Sequence, residues 1–541
     1  MKHLHTALAA ALLLSAFAGG AEAAGANLFS DLTTGKVGAR SARDSSLLQS
    51  MQSQPTVAQQ ARKAVSTKLS AQTRELNLNL LPGLNIATRL QSAKTTADGS
   101  LVWIGKPELN NLLTDAQGAA GDSAILVQRN GLITGNVRVG GELYSIRPLT
   151  NGEHVITRVD ESRFPPDHPA SYDALFRRSL DRQVSQAVAA APGNAVAAAA
   201  NTTIRVLVAY TQGVAAKHAD MTSFINLAMA ETNQGYANSG IAITSELALA
   251  TQVTYSETGD FDTDLARFRT KNDGYMDNVH SLRDSNAADL NVLLVTDDAY
   301  CGLASDIGST EATAFAAVSD ECATGYYSFA HEMGHLQSAR HDPSNDPTNT
   351  PYAYGHGYQA PNKAWRTVMA YNCSPSCSRI NYWSSPLKTY SDGQVMGTSN
   401  KNDNARVLNA TAATVAAYRG GSTPPPTGVT YTNDADYAIP DNNTTGVESP
   451  ITSTRTGQSG TVSVAVNIVH PYIGDLIVDL VAPSGTVYNL QNRSGGSADN
   501  IVKTFAVNAG TTASNGVWKL RVRDRANADT GYINSWSITF P

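Results

Sequence analysis

The sequence predicts an α+β domain, a mixed twisted sheet with helices, between an N-terminal segment and an all-β domain of the jelly-roll or sandwich type. Three observations support this fold class. Strand patterns alternate with helix-length patterns through residues 201–419. Short alternating strands without a helical period fill residues 429–541. A signal-like start and an alanine-rich stretch bound residues 24–200.

The bulk composition excludes some classes of protein. A chain of 541 residues is too long for one core. With 42% hydrophobic and 16% charged residues, it is globular rather than disordered. The net charge is −6 and no run of lysine or arginine occurs. We therefore expect no nucleic-acid partner, because phosphate binding needs a basic face.

Residues 1–23 are typical of a signal peptide. Lys2 gives the positive start, an apolar stretch runs from Ala7 to Ala18, and Ala21-Glu22-Ala23 is a small-x-small cleavage site. The apolar stretch is shorter than the roughly 20 residues that span a bilayer. We therefore expect a secreted protein without a membrane anchor.

Residues 24–200 are interpreted as a pro-peptide and linker. Weak helical runs precede strands, and the segment from Val137 to Leu149 alternates around two glycines as a hairpin does. The alanine-rich stretch Val188 to Asn201 then predicts a soft linker. Arg177-Arg178 or this stretch would be cut, so that the mature chain begins between Ser179 and Thr203. An ordinary N-terminal domain with a linker is the alternative.

Residues 201–419 carry the strand and helix patterns of the central domain. The predicted strands are Ile204–Tyr210, a run from Ile241, Leu290–Val295, and Ala312–Asp320 at the edge of the sheet. The predicted helices are Phe224–Tyr236, Tyr275–Arg283 and a last one presenting Val407, Leu408, Ala412, Val415 and Tyr418.

A proline- and glycine-rich linker, residues 420–428, separates this domain from residues 429–541. Beyond it, alternating runs such as Val462, Val464, Val466 and Ile468 are divided by turn signals. This pattern predicts a β-sandwich.

Three of the chain's 11 histidines and a glutamate lie within FAHEMGHLQSARHD. On a helix, His331 and His335 share one face with Cβ atoms about 5–6 Å apart, close enough to bind one zinc ion. Glu332 is placed to take a proton from a zinc-activated water. His341 becomes the third ligand only if the helix ends and the chain doubles back.

The position of that bend is Ser338. The motif HExxHxxGxxH has glycine there, because a left-handed residue costs glycine nothing. Either Ser338 adopts this conformation at a modest penalty, or the turn is built differently. Downstream, Met369 is predicted to lie beneath the metal, and Tyr371 to reach the metal or the oxyanion.

The four cysteines, Cys301, Cys322, Cys373 and Cys377, surround the cluster. They allow three pairings, of which Cys301–Cys322 and Cys373–Cys377 are favoured because sequence neighbours close without long excursions. Disulfides suit an exported chain.

HEMGHLQSARH followed by VMAY resembles the metzincin clan of zinc endopeptidases. Within that clan, an aspartate directly after the third histidine, here Asp342, resembles the reprolysin-like branch, whereas Tyr371 resembles the astacin and serralysin branches. HLQSARHDPSNDP, PYAYGHGY, WRTVMAYNC, RINYW and DNARVLN together resemble the secreted bacterial peptidyl-Asp metalloendopeptidases, over roughly Thr203 to Arg419. The resemblance implies a metzincin-like fold, zinc ligands His331, His335 and His341, general base Glu332, a methionine turn at Met369, and cleavage of polypeptides on the amino side of aspartate.

Further expectations follow from these resemblances. Arg379, just past the methionine turn, is the candidate for binding the acidic side chain; a solvated surface arginine is the alternative. Residues 429–541 resemble the P (P/Homo B) domain through the segments Val466 to Thr486 and Asn515 to Phe540. Calcium could bind Asp475, Asp524 and Asp529 there, although hydrogen-bonded loop carboxylates are the commoner case. The pro-peptide would act as inhibitor, and it has no cysteine with which to bind zinc.

Two other functions stay open at this level. A zinc amidase acting on a non-peptide amide would share the metal site but lack the edge strand. A non-catalytic secreted adhesin would use the sandwich and keep the histidines as structural groups.

Overall fold

The computed structural model describes residues 25–32, 37–108, 121–169, 172, 201–419, 429–433, 435–497 and 499–540. The predicted signal peptide, the Arg177-Arg178 pair and the linker 420–428 lie outside the described residues. We call residues 25–172 the N-terminal unit, residues 201–419 the central unit and residues 429–540 the C-terminal unit.

Most helices of the described residues lie in the central unit, and the longest of them has 19 residues. The α-helices are Ala42–Ser53, Gln212–Lys217, Met221–Ser239, Phe261–Arg269, Asn278–Ser285, Asp320–Ala323, Ser328–Leu336 and Asn404–Val415, with 3-10 turns at Glu161–Arg163 and Ile473–Asp475.

The N-terminal unit is dominated by one ten-stranded sheet. Its spatial order is Ala26–Asn27, Glu75–Leu81, Leu84–Thr95, Leu101–Glu108, Ser123–Arg129, Leu132–Val139, Glu142–Pro148, Glu153–Val159, Val57–Val65 and Phe29–Asp31. The predicted hairpin is confirmed, because Leu132–Val139 pairs with Glu142–Pro148 around two glycines of positive φ. Of the weak helical runs expected in this segment, the described residues contain the α-helix Ala42–Ser53 and the 3-10 turn Glu161–Arg163.

The N-terminal unit packs against the central unit through the helix Met221–Ser239. Val102, Ile125 and Val127 of the sheet share an apolar cluster with Leu227 and Ala230 of that helix. Polar contacts join the same two elements.

One of these contacts is a hydrogen bond of 2.6 Å from the Asn136 side-chain amide to the Glu231 carboxylate. A bond of 2.8 Å from Arg147 to the Thr324 hydroxyl joins the sheet to a different segment of the central unit, just after the helix Asp320–Ala323. The sheet is thereby fixed beside the segment that begins at Thr324.

The central unit is a five-stranded sheet between two layers of helices. The spatial order is Ile243–Gln252, Thr202–Tyr210, Leu290–Val295, Phe315–Ser319 and Gly302–Ala304. Alternate residues of Thr202–Tyr210 enter two different cores, Val206 and Val208 on one face and Leu207 and Ala209 on the other. This two-sided burial explains why the strands have continuous apolar runs.

The edge-strand prediction is wrong. Phe315–Ser319, which lies within the predicted Ala312–Asp320, is an inner strand that pairs with Leu290–Val295 on one side and with Gly302–Ala304 on the other. Gly302–Ala304 is the edge strand on this side of the sheet, opposite the edge strand Ile243–Gln252, and it is the one antiparallel strand of this sheet. A three-residue strand has too little periodicity to be recognised in a sequence.

Two small ribbons complete the central unit beside the sheet. Trp365–Arg366 pairs with Ser378–Arg379, and Ser385–Thr389 pairs with Val395–Met396. The first ribbon places Arg366 directly opposite Arg379.

The C-terminal unit consists of two sheets that share one apolar core. One sheet has the order Val429–Asn433, Gly531–Phe540, Gln458–Val469 and Ile501–Ala513, with Tyr437–Ile439 also pairing to Gly531–Phe540. The other has the order Val447–Ser453, Gly516–Asp524, Leu476–Val481 and Val487–Asn492. The predicted inward face, Val462, Val464, Val466 and Ile468, is buried in this core.

Candidate active site and metal centre

The helix Ser328–Leu336 carries His331, Glu332 and His335, and all nine of its residues are buried. Phe329, Met333 and Leu336 pack into the central core. The two histidines, four residues apart, share the opposite side of the helix as the spacing predicts. The apolar side therefore fixes the orientation of the polar side.

The helix ends at Leu336, and Ser338 has φ +75°, the left-handed conformation. The Ser338 N–H donates to the His335 carbonyl at 2.9 Å, and the Ala339 N–H donates to the Gly334 carbonyl at 2.9 Å. These bonds satisfy helix-end carbonyls and reverse the chain. The first of the two predicted arrangements is confirmed, because Ser338 adopts the left-handed conformation in place of the usual glycine.

The turn returns His341 to the helix. The Nε2 atoms of His331, His335 and His341 lie 3.0–3.1 Å from one another. The structure thus brings together the three predicted ligands.

A fourth imidazole completes the group. His168 of the N-terminal unit places its Nε2 3.1 Å from that of His331, 3.0 Å from that of His341 and 3.3 Å from that of His335. All four side chains are buried. Sequence reasoning missed His168, whose only local sign was a histidine after an acidic residue in the proline-rich run FPPDHP.

The hydrogen bonds of the rings fix which nitrogen is free. The Nδ1 atoms of His331, His335 and His168 contact the carbonyls of Val368 at 2.8 Å, Ala339 at 2.9 Å and Gly302 at 2.8 Å. A carbonyl accepts only, so each Nδ1 carries the proton and each Nε2 presents a lone pair.

Converging lone pairs repel unless a cation lies between them. Burial, the largest cause, lowers the pKa of His331, His335 and His341 well below the usual value, so the rings are neutral ligands. Nitrogens bound tetrahedrally at 2.0–2.1 Å from zinc would lie about 3.3 Å apart, close to the spacing found here. The donor set fits zinc.

Glu332 lies beside these ligands. It is buried, and its Oε2 has no hydrogen-bond partner among the described residues. Its carboxylate lies against Gly302 of the edge strand, where an added Cβ would approach Oε1 to 2.6 Å. Burial, followed by the charge of Asp167, raises the pKa of Glu332 well above its usual range. The group has a high proton affinity and faces the imidazoles.

Met369 and Tyr371 both lie beside the segment that carries the histidines. Met369 is fully buried, and its Sδ lies 2.9 Å from where a Cβ on Gly334 would be. The Tyr371 ring lies 4.1 Å from that of His341, centroid to centroid. Its backbone N–H donates to Asp342 at 2.9 Å, so the residue after the third histidine anchors the segment that follows Met369.

Arg379 is not a solvated surface residue. It is fully buried, it stacks over the Tyr326 ring at 4.4 Å, and it donates to the Tyr326 carbonyl at 3.0 Å. Its Nη2 lies 2.6 Å from Oδ1 of Asp167, the residue before His168. Arg366 lies 3.3 Å from Oδ2 of the same carboxylate.

Two arginines therefore form a pocket for one carboxylate. Burial alone would raise the pKa of Asp167, but Arg379 and Arg366 outweigh it and hold that pKa below its usual value. The carboxylate is ionised and bound by both guanidinium groups. The ribbon that pairs Arg366 with Arg379 explains how two residues 13 positions apart in sequence meet.

The cysteines form the favoured pairs, Cys301–Cys322 and Cys373–Cys377. The first pair joins the start of the edge strand to the helix Asp320–Ala323, and the second closes the loop after Tyr371. Both stiffen segments that contact the site.

The calcium candidates do not form a cluster of ligands. Asp524 accepts from the Ala526 N–H at 3.0 Å and lies 3.4 Å from His470, while Asp475 lies 3.9 Å from Arg493. Within the part of the chain that the structure describes, the four histidines are the single group of three or more His, Cys, Asp or Glu residues close enough to share an ion. Calcium binding stays a prediction.

Among the described residues, none of the helices is long and apolar enough to cross a membrane.

Three imidazoles on a helix and its following bend, with a glutamate next to the first, define the centre of a zinc metallopeptidase. Residues 200–384 match the family model described as metallo-peptidase family M12, and residues 459–540 match that of the proprotein convertase P-domain.

Full-length relatives agree with the family models. The peptidyl-Asp metalloendopeptidase of Xanthomonas campestris pv. campestris is 44% identical over 418 residues, which cover 75% of this chain and 97% of that protein. The peptidyl-Asp metalloendopeptidase of Stenotrophomonas maltophilia (strain R551-3) is 48% identical over 354 residues, 64% of this chain and 83% of that protein. The chain belongs to the M12 metallopeptidases, and it carries a C-terminal P domain.

Proposed function

We propose that the protein is a secreted zinc endopeptidase that cleaves polypeptides on the amino side of aspartate. One observation carries the specificity: a carboxylate from an aspartate is bound by Arg379 and Arg366 immediately beside the three-histidine centre. The names of its relatives, peptidyl-Asp metalloendopeptidases, describe the same preference.

The residues of the chain have distinct roles in this proposal. His331, His335 and His341 hold zinc, which supplies an acidified water and polarises the scissile carbonyl when bound. Glu332 accepts a proton from the water and delivers it to the leaving amine. Tyr371 supports the oxyanion, and Arg379 binds the aspartate side chain that follows the cleaved bond.

The edge strand Gly302–Ala304 takes the substrate backbone. It lies next to Glu332, and its outer side pairs with no other strand of the five-stranded sheet. An extended peptide can add there as an antiparallel strand, held by backbone hydrogen bonds. This proposal replaces the edge predicted at Ala312–Asp320.

Residues 24–200 act as pro-peptide and inhibitor in the same proposal, after a signal peptide at residues 1–23. The N-terminal unit supports this role, because its residues Asp167 and His168 occupy the arginine pocket and the metal centre. The mature chain, residues 201–419 with the C-terminal unit, would start between Ser179 and Thr203. Secreted protein whose N-terminus lies near Ala24 would contradict this.

For residues 429–541 we propose the jelly-roll form of the P domain. The two strand orders, first-eighth-third-sixth and second-seventh-fourth-fifth when the short Tyr437–Ile439 is left out, support it. We assign this domain to stabilisation or substrate anchoring rather than to chemistry.

The test is cleavage of a denatured protein by the purified enzyme, followed by sequencing of every new peptide end. We expect new N-termini to be aspartate, and we expect activity to vanish with a zinc chelator and in Glu332→Ala. Glu246→Ala, which removes a half-exposed carboxylate of the far strand, is the matched control and should retain activity. Zinc-loaded protein that cuts no peptide bond would favour an amidase or an adhesin.

A further inference from the structure

We infer that the dipeptide Asp167-His168 keeps the enzyme latent, with His168 as a fourth metal ligand and Asp167 as a substitute for the substrate's aspartate. This inference rests on the proposed function, because it uses the same metal centre and the same arginine pocket. It assigns a metal-binding role to a residue of the N-terminal unit.

His168 is built into the centre rather than resting near it. Its Nε2 is as close to those of His331 and His341 as they are to each other, 3.0–3.1 Å in each case. Its Nδ1 is bonded to the Gly302 carbonyl at 2.8 Å. The Tyr172 ring stacks on it, with centroids 4.3 Å apart and planes 8° from parallel. The ring therefore has one orientation, with a lone pair aimed at the shared point.

The fourth position is the one that a catalytic zinc site leaves for water. His168 fills it, and its Nδ1 lies 3.7 Å from Oε1 of Glu332. A carboxylate that would otherwise accept a proton from water thus faces an imidazole. His168 would thereby take the place of the reacting water and block access to its base, Glu332, at the same time.

Asp167 occupies the specificity pocket at the same time. Its two carboxylate oxygens are divided between Arg379 at 2.6 Å and Arg366 at 3.3 Å. An arginine pair buried without an anion is strongly unfavourable, so the pocket itself favours an acidic occupant. The arginine pair that selects aspartate in a substrate would thereby also bind Asp167 of the inhibiting segment.

The backbone direction explains why the occupant is not cut. The Cys301 N–H donates to the Pro166 carbonyl at 2.9 Å, and the Gly302 N–H donates to the Asp167 carbonyl at 3.2 Å. The two segments therefore run in the same direction, whereas an added substrate strand would run antiparallel. The peptide bonds of the occupant are reversed with respect to the metal and Glu332.

Prolines prepare this segment for binding. Pro165 and Pro166 precede Asp167, and Pro169 follows His168. Each fixes one backbone torsion and restricts the residue before it, so less conformational entropy is lost when the dipeptide is held in the site.

The first experiment measures metal coordination and does not need activity. Full-length Glu332→Ala, which cannot process itself, is loaded with zinc and examined by X-ray absorption, beside the same chain carrying His168→Ala. We expect four imidazole nitrogens in the first chain, and three with one oxygen in the second. An unchanged four-nitrogen shell would overturn the role of His168. Failure of both chains to bind zinc would instead overturn the proposed function.

The second experiment measures latency in the full-length chain with Glu332 intact. We expect Asp167→Asn, which keeps the size of the side chain and removes its charge, to release the N-terminal unit and process itself on the order of 100-fold faster. Asp160→Asn is the matched control, because Asp160 caps an exposed turn of the same unit. Equal processing rates for Asp167→Asn and Asp160→Asn would contradict the inference.

Discussion

The specificity of the enzyme should depend on Arg379. Replacing it by methionine keeps much of the apolar stem over the Tyr326 ring and removes the charge. Removing one partner of a buried ion pair costs about 3–5 kcal/mol. Because Arg366 lies 3.3 Å from the second carboxylate oxygen of Asp167 and would bind a substrate carboxylate in the same way, we expect the lower end of that range. This corresponds to a loss of roughly 100-fold in kcat/KM for cleavage before aspartate.

The assay compares two peptides that differ only in having aspartate or asparagine after the scissile bond. Arg379→Met should lower kcat/KM for the aspartate peptide and change that for the asparagine peptide little, so the ratio between them collapses. Arg406→Met, an exposed arginine that stacks on Tyr354 at 3.9 Å, controls for the loss of a charge. Equal losses for both peptides would mean that Arg379 supports the fold and does not select aspartate.

Three further predictions follow from local geometry. Gly302→Ala should lower kcat by about 100-fold, because a Cβ placed 2.6 Å from Oε1 displaces Glu332. The unfolding temperature should stay near that of the wild type. Unchanged turnover would show that the carboxylate has room to move. Ser338→Gly should raise the free energy of unfolding, measured in urea, by about 0.5 kcal/mol, since a backbone φ of +75° is less favourable for serine than for glycine. A loss of stability would mean that the Ser338 hydroxyl makes a stabilising contact of its own. Burial lowers the pKa of His154 to about 4, so the N-terminal unit should be fully stable above pH 6.5 and lose about 3 kcal/mol as pH falls to 4. The measurement is urea unfolding as a function of pH, with the Glu332→Ala chain compared to the same chain carrying His154→Gln. The loss of stability toward pH 4 should be absent in His154→Gln. If it persists, other groups cause the pH dependence.

The metal ligands could be predicted because their geometry is local. His331, Glu332 and His335 share one helix, and Ser338 stands where the motif places the left-handed turn that brings back His341. Spacing along a regular helix and one left-handed residue are enough to determine such a site. The favoured disulfides, each between sequence neighbours, were predictable for the same reason.

Features that depend on distant pairing were not predictable. The order of strands in a sheet is decided by long-range contacts, so the edge was predicted at Ala312–Asp320 instead of at Gly302–Ala304. His168 lies far along the chain from His341, and no periodicity connects them. Arg379 was a candidate from its position, but its pocket became recognisable only when the ribbon placed Arg366 beside it.

The attachment of the N-terminal unit to the rest of the chain has a kinetic consequence. While the chain is intact, Asp167 and His168 face the centre at the high effective concentration of a tethered ligand. Under the proposed function, a cut between Ser179 and Thr203 would break the covalent link, and the N-terminal fragment would then dissociate according to its own affinity. Freshly cut enzyme should therefore become active faster in dilute solution than in concentrated solution, so dispersal after secretion would itself act as the final step of activation.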